Sequence, residues 1–419
     1  MKASALSQLA RRTEEPAISW LMKLTLDHPK IVSLAAGFTD NASLPLTETA
    51  EVLHDLLQSR AGRPALQYGT TAGDPLLRKL TAARVQSADS HRDARIHDPA
   101  RTLITGGSQQ LLYMTTEALC DPGDIVLIED PTYFVFLGIT QSHGLRTRGV
   151  RMEQDGIDLA HLEKILTGLK RSGELKHLKM LYIVSYFQNP TGRTTSFAKK
   201  RAALELLKTF ERGAGHPIYL LEDAAYRELR FTGNDEPSAL ATAFPDRVLY
   251  AGTYSKPFAS GARVGFGILP AEVFQAVVRI KGNHDFGTSN LLQQLLAHAL
   301  DSGAYEKHLP VLRARYAAKS AKMTNAIREH FPSEVQWAEP AGGLYVWAQA
   351  PRRNRTGIKS KIFQAALNCG VLYVPGELCY GDDPARRKPN HGMRLSFGGA
   401  RDADIPLGIM RLGRVLRTG

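Results

Sequence analysis

At 419 residues the chain exceeds what one hydrophobic core spans, since single cores stop growing near roughly 250–300 residues, so two domains are expected. Its 43% hydrophobic and 22% charged residues are those of an ordinary globular protein and exclude a disordered or fibrous one. The net charge of +12 is spread along the chain rather than massed on one helix, which speaks against a nucleic-acid surface and suits a positive field that draws in small anions.

The N-terminal stretch, Met1 to Pro16, mixes Arg11, Arg12, Glu14 and Glu15 with short apolar pieces and lacks the continuous apolar core of a signal peptide. No apolar run approaches the ~18 residues that a membrane helix needs. Cys120, Cys369 and Cys379 have no Cys-x-x-Cys spacing, so neither a disulfide framework nor a metal site is suggested. The expectation is a cytoplasmic protein that binds neither nucleic acid nor membrane. The densest basic clusters, Arg352-Arg353-Asn354-Arg355 and Arg386-Arg387-Lys388, sit among Pro and Gly and read as solvated loops.

From Thr102 to Leu269 short runs rich in Val, Ile and Leu alternate with helix-like stretches, the pattern of a mostly parallel sheet covered by helices. The runs are Thr102–Thr105, Ile125–Ile128, Met180–Val184, Ile218–Leu221 and Val248–Tyr250. Each ends in polar or Gly-containing sequence: Gly106-Gly107-Ser108-Gln109, Asp130-Pro131-Thr132-Tyr133, Gln188-Asn189-Pro190-Thr191-Gly192, Glu222-Asp223 and Thr253-Tyr254-Ser255-Lys256. Ligands of open α/β sheets bind past the carboxyl ends of the strands, so these five ends should converge on one crevice. Beyond Ser302 a long charged helix-like stretch and a few separate strands predict a smaller α+β domain. The division expected is an N-terminal arm of residues 1–45, which joins the small domain and the substrate mouth, a large domain of 46–301 and a small domain of 302–419.

Several strand ends carry chemistry. Gly106 to Gln109 leads into a helix whose free N–H groups would face the crevice as a phosphate site, although an ordinary turn reads the same way. Asp223, closing an apolar strand, is costly to bury without a cation, and a protonated pyridine nitrogen would serve. It could also be the N-cap of a helix over Ala224–Arg230. Lys256 stands where a strand enters an irregular turn before Pro257, and a lysine in a dry or cationic pocket becomes a Schiff-base nucleophile. Arg263, seven residues on, is placed to return toward a phosphate or to form a surface ion pair.

The constellation Ser255-Lys256-x-x-x-x-Gly261-x-Arg263-x-Gly265, with Asn189-Pro190-Thr191-Gly192 and Asp223-x-x-Tyr226 upstream, resembles the class I/II aminotransferases of PLP fold type I. Gln67-Tyr68-Gly69, Gly107-Ser108-Gln109-Gln110, Asp130-Pro131-Thr132-Tyr133, Val374-Pro375-Gly376 and Arg394-Leu395-Ser396-Phe397 are most similar to the branch of 2-aminoadipate, kynurenine and aromatic aminotransferases. The resemblance implies an α/β enzyme whose large domain holds pyridoxal 5'-phosphate. Lys256 would bind the cofactor covalently and later move the Cα proton, and Asp223 would pair with the pyridinium nitrogen. Asn189 and Tyr226 would meet the ring's phenolic oxygen, and Tyr133 would stack on the ring. Ser108, Gln109, Thr253, Ser255 and Arg263 would hold the phosphate, with Tyr68 reaching it from the second subunit of a homodimer with shared sites.

Substrate contacts follow from the same resemblance. Arg394 would clamp the α-carboxylate, its alternative being a strand arginine that reaches solvent. Gly37 would line the substrate mouth, and Asn189 would also contact the substrate. The implied reaction is ping-pong exchange of an amino group between an L-amino acid and a 2-oxo acid. A β-lyase, decarboxylase or oxidase would use the same cofactor residues. A regulator that senses the cofactor would need a helix-turn-helix domain, for which the roughly 30 residues before Val32 are too few. The branch often carries an arginine in its first helix for a second acidic group, and here Ser19 takes that place with Lys23 one turn on. Phe38 to Pro45 also departs from the usual Gly-Leu-Pro loop.

Overall fold

The computed structural model describes residues 5–90 and 95–418; the first four residues of the N-terminal stretch lie outside it. Fourteen strands follow in chain order among these residues. They are β1 (Val32–Ser33), β2 (Thr102–Thr105), β3 (Ile125–Asp130), β4 (Arg146–Glu153), β5 (Gly156–Ile157), β6 (Leu178–Val184) and β7 (Tyr219–Asp223). Then come β8 (Val248–Thr253), β9 (Gly265–Ile268), β10 (Gln336–Trp337), β11 (Tyr345–Gln349), β12 (Val371–Leu372), β13 (Val374–Pro375) and β14 (Gly392–Ser396).

Eight strands form one sheet in the order β2-β9-β8-β7-β6-β3-β4-β5. All five apolar runs read from the sequence are in it, and β2, β7 and β8 are buried along their whole length, as strands covered by helices on both faces must be. The ladders β4-β3-β6-β7-β8 are parallel, while β9 runs antiparallel between β8 and β2. After β3 the chain goes outward to β4, then returns to the other side of β3 for β6, β7 and β8. The order therefore reverses between β3 and β6, which opens a crevice at their carboxyl ends. β4 was not among the expected strands, because Arg146, Arg148, Arg151 and Glu153 break its apolar pattern. It lies near the sheet edge, where those side chains reach solvent.

A second group of strands packs separately: the antiparallel sheet β10-β11-β14-β13 and the parallel pair β1-β12. The long charged stretch is the helix Ala304–His330, packed on the last helix, Asp404–Thr418. The N-terminal segment is tied to this group. β1 pairs with β12, Leu34 O accepts the N–H of Ser396 at 2.7 Å, and buried Lys319 donates to Asp40 Oδ1 at 2.6 Å.

Candidate active site

A cavity of about 400 Å³ opens at the crevice. Gly37, Ser108, Gln109, Tyr133, Asn189, Asp223, Tyr226, Thr253, Ser255, Lys256, Arg263 and Arg394 all line it, so twelve residues singled out in sequence meet in one space. Tyr68 does not. It is 82% exposed, and its ring sits edge-on to that of Phe286, also exposed, at 5.5 Å.

One end of the cavity suits an anion. The helix Ser108–Leu119 starts after Gly107, whose φ of +84° favours glycine and whose added Cβ would stand 2.6 Å from an Arg263 Nη. Gly265 is needed for a related reason: a Cβ there would come within 2.4 Å of the backbone N of Ser108. Two glycines thus keep the helix start, Arg263 and β9 close together. Arg263 takes the left-handed conformation, φ +51°, and its guanidinium lies 3.5 Å from Ser255 Oγ and from Gly106 O. Thr253 Oγ1 donates to Val264 O and accepts the N–H of Ser255, which steadies the turn before Lys256.

At the other end Asp223 is 3% exposed. Its carboxylate accepts from Tyr182 Oη at 3.0 Å and from the N–H of Ala225 at 3.0 Å, and among the described residues no cation pairs with it. Burial pushes its pKa up to about 6, with the two hydrogen bonds opposing. The residues after it form turns rather than a helix, so the N-cap alternative is not realised. Between the ends, Lys256 Nζ donates to Gly37 O at 2.8 Å, and its pKa is lowered to about 8 by burial and then by the charges of Arg394 and Arg263. Arg394 is 1% exposed, which rules out the solvent-reaching alternative; Nη1 donates to Asn189 Oδ1 at 3.0 Å and Nη2 to Ala35 O at 2.6 Å.

These groups fit pyridoxal phosphate: a helix start with an arginine for the phosphate, a buried carboxylate without a cation for the pyridinium, and an amine of lowered pKa in the same cavity.

Other cavity residues escaped the sequence reading. Tyr345 lies on one of the separate strands beyond Ser302, and Ile18, Phe134 and Val135 carry no motif, whereas Phe38 opens the loop that departs from the family pattern. Ser19 and Lys23 are exposed; the helix Ala17–Asp27 presents Ile18 to the cavity instead. The basic cluster at Arg386 is a correction. Its guanidinium binds the Asp130 carboxylate and lies over the Tyr380 ring, tying the end of β3 to the loop after Tyr380. Arg352, Arg353 and Arg355 are exposed in a loop, as read.

The fold and the cavity define a pyridoxal-phosphate enzyme of fold type I. Residues 29–400 match the family model of aminotransferases of class I and II, and the chain belongs to that family. It is 32% identical to the 2-aminoadipate transaminase of Thermus thermophilus, over 99% of this chain and 97% of that one. It is 29% identical to the aromatic-amino-acid aminotransferase 1 of Thermococcus litoralis, over 98% and 94%. The crystal structure of Pyrococcus horikoshii kynurenine aminotransferase, in complex with PMP, superposes with a TM-score of 0.89 at 30% identity, covering 99% of this chain and 97% of that chain. The protein is thus a pyridoxal-phosphate-dependent aminotransferase that exchanges an amino group between an amino acid and a 2-oxo acid. Among the described residues no helix is long and apolar enough to cross a membrane.

Proposed function

We propose that this aminotransferase prefers amino acids with neutral, largely apolar side chains. One observation carries the reading: the only charged residues lining the cavity among those described are Asp223, Lys256, Arg263 and Arg394. Each has a task in the common reaction, so none remains for a second charge on the substrate. The wall around them includes Ile18, Phe38, Phe134 and Val135.

When bound, the cofactor supplies an electron sink for the charge left at the substrate Cα. Lys256 Nζ holds the cofactor and then carries the Cα proton, a role that its lowered pKa suits at near-neutral pH. Asp223 keeps the ring nitrogen protonated. Asn189 and Tyr226 would hold the ring's phenolic oxygen, Tyr133 would lie against the ring, and Ser108, Gln109, Thr253, Ser255 and Arg263 would anchor the phosphate. Arg394 orients the substrate carboxylate as a two-pronged donor, with Gly37 at the mouth.

The same reading makes the working unit a cytoplasmic homodimer in which Tyr68 completes the second subunit's site; exposed Tyr68, Phe286 and Leu66 supply an apolar face for it. It also divides the chain into an arm of 1–45, a large domain of 46–301 and a small domain of 302–419, supported by the separation of the two groups of strands. The test is a half-reaction without acceptor, in which single amino acids convert the yellow enzyme to its pyridoxamine form. Aromatic and aliphatic donors should convert it at lower concentration than dicarboxylic ones; the opposite ranking refutes the preference.

A further inference from the structure

Tyr345 links the small sheet to the large one at the wall of the cavity. It sits on β11, beside β14, with Trp347 opposite Arg394 and Tyr345 opposite Ser396. Tyr345 and Arg394 are therefore diagonal neighbours on one face of the small sheet, and the Arg394 guanidinium lies 4.4 Å from the centre of the Tyr345 ring. The Tyr345 hydroxyl is 3.0 Å from the hydroxyl of Tyr226, which belongs to the turn after β7 in the large sheet. Both tyrosines are buried, at 2% and 5% exposure, and their rings meet edge-on. Gly37 leaves room for this contact: a Cβ at that position would stand 2.5 Å from the Tyr345 hydroxyl.

The direction of the hydrogen bonds follows from Arg394. Its Nη1–H can only donate, so the atom of Asn189 facing it is the carbonyl oxygen, Oδ1. That fixes the amide, and Asn189 Nδ2 then points at Tyr226 Oη as a donor, 3.5 Å away. Among the described residues Tyr226 Oη is the one hydrogen-bond partner of the Tyr345 hydroxyl, so Tyr345 satisfies its own proton by donating there. Tyr226 Oη has two lone pairs and accepts both bonds, which leaves its own proton free.

We infer that Tyr345 is a positioning residue: its hydroxyl donates to Tyr226 Oη and so turns the Tyr226 proton into the cavity, toward the phenolic oxygen of the cofactor. This rests on the reading that Tyr226 meets that oxygen. Through Tyr345 the small sheet thereby sets a hydrogen bond made from the large one. Besides Arg394, the charged or titratable groups around the pair are Tyr133, Asp223, Lys256, Arg263 and Tyr316, and all of them remain in the variants below.

The experiment is a pH titration of the visible absorption of the holoenzyme. A hydrogen bond from Tyr226 stabilises the anionic form of the cofactor's oxygen, so weakening it raises the pH at which the absorption changes. Tyr345→Phe keeps the ring, its packing on Arg394 and its place beneath Gly37, and removes the hydroxyl alone. Its midpoint should move up by a few tenths of a pH unit, while binding of a non-reacting carboxylate analogue stays as in wild type. Tyr226→Phe should move the midpoint further in the same direction, and adding Tyr345→Phe to it should produce no additional shift. A wild-type midpoint in Tyr345→Phe, or shifts that simply add in the double variant, overturns the inference. A wild-type midpoint in Tyr226→Phe removes the Tyr226 contact beneath it as well, whereas the identity of the cofactor site is read separately from whether the absorption band is present.

Discussion

The guanidinium of Arg394 and the side-chain amide of Asn189 hold each other in place, Nη1 donating to Oδ1 at 3.0 Å between the small sheet and the end of β6. The arginine is also clasped between the rings of Phe134 and Tyr345, with its carbon 5.1 Å and 4.4 Å from their centres. Its Nε is buried with no hydrogen-bond partner among the described residues. A buried cation with a spare donor and no carboxylate partner is arranged for an incoming anion.

Arg394→Ala should accordingly weaken amino-acid substrates by about 2–5 kcal/mol in kcat/KM, the usual cost of truncating one partner of a desolvated charge pair. Affinity for the cofactor should fall far less, since Arg394 makes its hydrogen bonds to Asn189 and Ala35 and none to Ser108, Ser255 or Arg263. Steady-state kinetics with amino acids and with simple amines separate the two roles. Equal losses for both would make Arg394 a purely structural residue.

The catalytic end of this site was legible because its residues stand at the ends of apolar strands. Asp223, Asn189 and Lys256 each follow a run of β-branched and aliphatic residues, and strand ends in an α/β sheet share one side. Tyr345 and Ile18 were not legible. Tyr345 faces the cavity through the register of β11 on β14, and Ile18 through the docking of its helix, neither of which a short motif encodes. Charge misled twice, for one reason: a charged side chain reads as solvated until its partner is known. β4 was lost behind its arginines, and Arg386 was read as solvated although Asp130, 256 positions away, binds it.

Lys256 should show its environment in the rate at which the apoenzyme recaptures pyridoxal phosphate. The neutral amine is the attacking form, and burial lowers its pKa from 10.5 to about 8. Covalent capture should therefore rise with pH through about 8 and level off above it, while an unperturbed lysine would keep accelerating toward 10.5. Lys256→Ala should lose turnover and this pH dependence together, yet retain some cofactor by its phosphate contacts. Stopped-flow absorbance across the pH range reads both. A variant that still cycles amino groups at the normal rate would remove Lys256 from the chemistry.

Ile18 is the residue that the helix Ala17–Asp27 presents to the cavity, while Ser19 and Lys23 face outward. 2-Aminoadipate thus meets no added positive charge there, and wild-type specificity constants should favour aromatic and aliphatic donors over it. Ile18→Arg should narrow or reverse that ratio by placing a cation at the mouth, chiefly through KM for the dicarboxylic donor. Specificity constants for 2-aminoadipate, leucine and phenylalanine with both proteins decide it. A wild-type preference for 2-aminoadipate counts directly against the apolar reading.

Tyr68 lines no part of the cavity in its own chain, and its exposed ring rests on the equally exposed Phe286. In a two-fold dimer any contact across the interface is reciprocal, so Tyr68 of each subunit would serve the cofactor held by Lys256 of the other. Take a Tyr68 substitution disruptive enough to inactivate alone, and mix it with Lys256→Ala under conditions that exchange subunits. If the two residues serve one site from different chains, each mixed dimer has one site with both defects and one with none. Random exchange makes about half of the dimers mixed, so activity should return to roughly a quarter of wild type. If both residues act within one chain, every site in the mixed dimer keeps one defect and no activity returns. Labelled subunits establish that exchange has occurred, and a mixture that then stays inactive rules out the shared site.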